Sequence, residues 1–156
     1  MTLEQASLFI SEPYRFRYNI GFIKNLKEPF LNKQSPQRIE TYAQNWISGV
    51  VDLGYDNLDK IPYSIDCIQW DDLPLTKNNN TFLLYFYGLR GIYLLAHSFR
   101  FTKKKEYIEY SLKILDSYYK YITSDVQKNR MVNNDHALSE RIENIVYLYT
   151  CIKHSD

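Results

Sequence analysis

Four polar residues stand close together near the end of the chain: Asn134, Asp135, His136 and Arg141. Asn134 or Asp135 is placed to cap a helix, its side-chain oxygen taking a free first-turn N–H, and an acid there also suits the positive end of the helix dipole. His136 falls at the helix mouth. Arg141 falls at the edge of an apolar stripe, where a permanently charged guanidinium must find a carboxylate, a carbonyl or a ligand. A second set, Trp70-Asp71-Asp72, lies in a stretch without periodicity. Two readings fit it. The tryptophan pins a loop to helices while the aspartates cap or stay solvated, or the indole is a sugar platform with hydrogen-bonding carboxylates beside it.

The elements that must hold these residues are helices. From Leu138 onward, Leu138, Ile142, Ile145, Val146, Tyr149 and Ile152 recur at helical spacing, which predicts an amphipathic helix burying that stripe. Ser35-Pro36 opens another helix, with Ile39, Tyr42, Ala43, Trp46, Ile47, Val50 and Val51 inward and Gly54 as its stop. A long connection over 55–80 follows, holding Pro62, Pro74 and Asn78-Asn79-Asn80. Loops of that length are functional or built on side-chain anchors. One helix is expected over about 81–98 and another over about 103–123, joined shortly enough to form an antiparallel hairpin. Thr2-Leu3-Glu4-Gln5 fits a capping box for a short helix to about Ser11, and 14–34 is ambiguous. No alternating apolar run is bounded by hairpin turns, so strands are not expected.

The 156 residues suit a single helical domain, with 1–34 an arm of short helices. Net charge is +1, from 19 basic and 18 acidic residues, which gives no general pull toward nucleic acid or anionic membranes. Fifteen tyrosines, against 8 Phe and 2 Trp, supply contact area with polar tips, useful in helix packing and in sugar clefts alike. Cys67 and Cys151 form no disulfide framework or metal spacing and are expected to be small buried residues. His97 and His154 have no second ligand at metal spacing. With no phosphate loop, G-x-S-x-G or H-E-x-x-H motif, no cofactor and no metal are expected. No stretch reads as a signal peptide or a membrane span, so the chain as written is expected in the cytoplasm, or in the periplasm or outside if a leader was removed.

The blocks WDDLPL, NTFLLYFYGLRGIYLLAHSF, FTKKKEYIEYSLKILDSYYKYI and NDHALSERIENIVYLY, in that order over about Ile65 to His154, resemble the helical domain of heparinase II/III-like polysaccharide lyases. The resemblance implies an all-α fold, antiparallel helical hairpins forming part of an incomplete (α/α) toroid. It implies a uronate-containing acidic polysaccharide or oligosaccharide as ligand, and β-elimination as the reaction. That chemistry needs donors that neutralise the uronate carboxylate, a base for the C5 proton and an acid for the leaving oxygen. The family's neutralisers and its tyrosine base come from motifs beyond the DH-x-x-x-x-R helix, and the chain stops at Asp156. Asp135, His136 and Arg141 match that helix motif and Trp70 and Asp71 the earlier loop. Together with Asn134 of the same polar cluster, they are expected to line or support a substrate cleft, with no residue assigned to proton transfer.

Two functions of different class lead among those consistent with these residues, ahead of a complete small enzyme with a Tyr or His base and a cleft built by dimerisation. One is the helical substrate-cleft portion of such a carbohydrate-active protein, catalytically incomplete by itself. The other is a helical protein–protein interaction module that docks a partner chain, or a second copy, through exposed aromatic helix faces.

Overall fold

The computed structural model describes residues 34–73 and 79–153. The chain divides into two units, Met1–Gln34 and Ser35–Asp156. The short helix and capping box expected before residue 34, and His154, lie outside the described residues. Among its described residues the second unit is all-α apart from one small pairing of strands and an isolated bridge between Ser64 and Cys67. Helix α1 spans Pro36–Ile47, α2 Asn80–Tyr87, α3 Arg90–Thr102, α4 Glu106–Thr123 and α5 Asp135–Lys153, with a 3-10 turn at Arg130–Asn133.

Helix α1 starts as expected: the Ser35 hydroxyl accepts from Arg38 N–H at 3.2 Å and Pro36 occupies the first turn. Its buried face is Ile39, Tyr42, Ala43 and Trp46. It stops earlier than the apolar spacing suggested. Gly49 adopts φ +82°, where L side chains are strained, and Val50–Val51 leave the helix as strand β1. This strand pairs antiparallel with β2, Ile61–Pro62, a correction to the expectation of no strands. Two consecutive valines suit an extended backbone better than a helix end.

The connection after β1 is built on one buried carboxylate. Asp52 accepts from Asn45 Nδ2 at 2.8 Å and from the Gly54 N–H at 3.0 Å, and pairs with Lys60 Nζ at 2.9 Å. Its own carbonyl accepts from the Trp46 indole at 2.6 Å. A buried charge is tolerable only when paired and hydrogen-bonded in this way.

The single helix expected over 81–98 is two. Helix α2, capped by the Asn79 side chain on Phe82 N–H, ends at Gly88. Leu89 then takes a left-handed conformation (φ +59°) and α3 starts again at Arg90. Helical periodicity runs straight through this joint because both halves bury their apolar residues. Close approach on either side requires the small residues. A Cβ on Gly88 would stand 2.6 Å from Glu140 Cγ, and one on Gly91 would stand 2.5 Å from the Trp46 indole. Helix α3 is the centre of the unit, buried at every residue from Arg90 to Phe99 and packed against α1, α4 and α5. Such all-round burial is what its unbroken apolar run permits.

Helix α5 meets the expected burial only in part: of the expected stripe, Ile145 and Ile152 pack against the core while the rest turns outward. Its core-facing residues are Ala137, Asn144, Leu148 and Cys151. Leu138, Ile142 and Tyr149 remain 45%, 41% and 38% exposed, and Ile145, Val146 and Ile152 are half-buried. The two stripes lie roughly a third of a turn apart round the same helix. The inner one wins because the α2–α3 joint presents bare carbonyls that only polar side chains satisfy.

Candidate functional site

Three side chains of α5 meet that joint. Arg141 Nε donates to the Tyr87 carbonyl at 2.9 Å and Nη2 to the Val132 carbonyl at 2.7 Å, with the guanidinium 4.8 Å above the Tyr118 ring. Asn144, fully buried, donates to the Gly88 carbonyl at 2.7 Å. The Tyr87 and Gly88 carbonyls terminate α2, so α5 caps a neighbouring helix with a cation and an amide. Burial lowers the Arg141 pKa from its ordinary value, and the Tyr118 ring opposes that.

Glu140 completes the group. It pairs at 3.0 Å with Arg90, which is 5% exposed and lies 4.8 Å and 4.6 Å from the rings of Tyr55 and Tyr85. Those two tyrosines stack at 5.0 Å, and their hydroxyls are 3.3 Å apart. Sequence reasoning missed Arg90, Glu140 and Asn144. Their signal was present: Ala137, Glu140, Asn144, Leu148 and Cys151 recur at steps of three and four, a helical stripe hidden by its polar members.

The expected cluster is thus split. Asn134 caps α5, its Oδ1 accepting from His136 N–H at 3.0 Å and Ala137 N–H at 3.4 Å. Asp135 and His136 stand exposed on the first turn, while Arg141 points inward. The guanidinium found the carbonyl option among the three open to it.

Trp70 is 4% exposed, packed against Phe86 (4.8 Å), Tyr118 (5.0 Å, edge-on) and Tyr121 (6.0 Å). Its indole N–H donates to Ser117 Oγ at 3.1 Å, and its carbonyl accepts from the Tyr87 hydroxyl at 2.5 Å. The ring pins the loop to α2 and α4, leaving no open face for a sugar. Asp71, next to it, is exposed and accepts from the Tyr121 hydroxyl. Around it opens a concavity of about 440 Å³ lined by Asp66, Gln69, Asp71, Asp72, Lys120 and Ser124 among others. Lys120 is held by Asp116 at 2.8 Å, so carboxylates prevail. Burial and the Asp71 carboxylate push the Tyr121 hydroxyl up to about 12, which keeps it protonated near neutral pH. Cys67, on the same rim, is exposed, contrary to its expected burial.

His97 sits between α3 and α5. The Tyr147 hydroxyl accepts from Arg100 Nη1 at 3.0 Å and lies 2.6 Å from His97 Nδ1. Arginine can only donate, so it occupies one lone pair of the hydroxyl and leaves the hydroxyl proton available to a neutral imidazole. Burial, and then Arg100, lower its pKa to about 4. Burial raises the neighbouring Cys151 thiol to about 11.

Among the described residues, no group of three or more His, Cys, Asp or Glu is gathered at metal-holding distance, and no helix is long and apolar enough to cross a membrane. No family model matches the sequence, and no curated protein or solved structure matches it.

Proposed function

We propose that this chain is a helical interaction module whose docking surface is the outer face of α5. One observation carries this: Leu138, Ile142 and Tyr149 form a line of exposed large apolar side chains on one helix, bordered by Ile145 and Ile152, which pack partly against the core. Single exposed leucines are ordinary on protein surfaces, but a contiguous apolar stripe is a recurrent mark of an interface. Its shape suits an amphipathic helix laid alongside. The test adds a synthetic amphipathic peptide, with leucine at heptad spacing, to isotopically labelled protein. Amide shifts confined to 138–152 and lost in Ile142→Glu support the reading. Shifts elsewhere, or none, overturn it.

A second reading has its own observation, the concavity beside Trp70 and Asp71 with several carboxylates in its lining. Carboxylates, an amide and hydroxyls around an open depression are the groups that hold sugar hydroxyls. This reading keeps the resemblance to heparinase II/III-like helical domains as a ligand class rather than a reaction. The excess of carboxylates disfavours uronate chains by like-charge repulsion, so neutral oligosaccharides are the better ligands. Calorimetric titration with neutral and acidic oligosaccharides checks it. Binding of neutral ones, lost in Asp71→Ala, supports it, and heat from neither class rejects it.

A further inference from the structure

Resting on the docking reading of α5, we propose that the occupant of its outer face is the same face of a second copy of this chain, laid antiparallel. The exposed Leu138, Ile142 and Tyr149, with Ile145 and Ile152 beside them partly buried against the chain's own core, follow one another at steps of four, three, four and three. That is the 3.5-residue period of a seam between two helices, whereas a helix covering a broad core uses a wider stripe. The seam extends over about 21 Å at 1.5 Å per residue, long enough for a two-helix contact. Its partner must be an amphipathic helix of matched spacing, and α5 is itself one.

Charge sets the direction. Asp135 is the acid of the first turn and Lys153 the base of the last, and both are exposed. They are eighteen residues apart, five whole turns at about 3.6 residues per turn, so they lie on one flank beside the seam. A two-fold axis across the middle of the helix brings that flank against its own copy. Each Asp135 then meets the other copy's lysine at the far end, and this happens twice. A parallel arrangement instead sets the two acidic turns at one end and the two basic turns at the other. The net charge of +1 adds no general repulsion between copies.

Sedimentation velocity over a micromolar to millimolar range at low salt tests this. The full chain is expected to dimerise, and Ile142→Glu and Tyr149→Glu each to abolish dimerisation. Both positions are solvent-facing, so either variant that folds suffices. Lys153→Glu is expected to weaken the dimer roughly tenfold, and the double exchange Asp135→Lys/Lys153→Glu to restore most of it. A dimer indifferent to both seam variants, or a seam-dependent dimer indifferent to the charge exchange, overturns the proposed pairing. A chain that stays monomeric also overturns it. If such a monomer still shows peptide-induced shifts over 138–152, docking stands and only self-pairing fails; with neither, both fail.

Discussion

His97 is one residue through which pH reaches this fold. Its partners are Tyr93, Arg100 and Phe101 on its own helix and Tyr147 across the α3–α5 contact, none of them a carboxylate that could welcome an imidazolium. The folded pKa, about 4, lies below the ordinary value of 6.5. The unfolded chain therefore binds this proton more readily throughout that window. Stability is full above pH 6.5, falls as pH drops and levels off near pH 4. The loss is expected to be about 2–3 kcal/mol. Urea unfolding at pH 7 and pH 4.5 measures it, and His97→Gln is expected to flatten the difference.

Arg141 and Asn144 make separable contributions at the same scale. Arg141→Met keeps the apolar stem but strips two carbonyls, an expected loss of about 2–3 kcal/mol in denaturant. Arg141 thus tests capping before it tests any cleft, because removing it weakens the fold. Asn144→Ala is expected to cost about 1–2 kcal/mol for the Gly88 carbonyl left bare.

At the scale of elements, the α2–α3 joint concentrates strain and close contact. A leucine in the left-handed region costs about 1–2 kcal/mol, offset here by burial of its side chain and by the capped carbonyls before it. Gly91→Ala drives a methyl into the Trp46 indole and is expected to destabilise by about 1–3 kcal/mol. Pairing it with Trp46→Leu is expected to recover part of that loss, a non-additivity that a double-mutant cycle reads directly. Gly88→Ala meets the backbone oxygen of Leu84 as well as Glu140, so no single partner change relieves it.

At the scale of the whole molecule, the two thiols report on different events. Cys67 is exposed on the loop rim and Cys151 is buried in α5 with its pKa raised. A thiol reagent is expected to modify Cys67 promptly in the native protein and Cys151 only as α5 opens. Prompt modification of both, followed by mass spectrometry of the peptides, counts against the packing of α5.

Much of the helical content could be read from periodicity, and the opening of α1 from Ser35-Pro36, because caps and apolar spacing are local signals. The loop's dependence on anchors was legible in the same way, with Trp70 as one of them. What periodicity alone misjudged was direction. Helix α5 carries two helical stripes, one apolar and one mixed, and nothing within its own nineteen residues says which is inward. That choice belongs to Gly88 and Leu89, some fifty residues earlier, whose broken helix exposes carbonyls needing Arg141 and Asn144. The amino-acid order therefore determined that helices form and roughly where. The tertiary structure decided which face each one buries, because an unsatisfied buried carbonyl costs more than an exposed isoleucine.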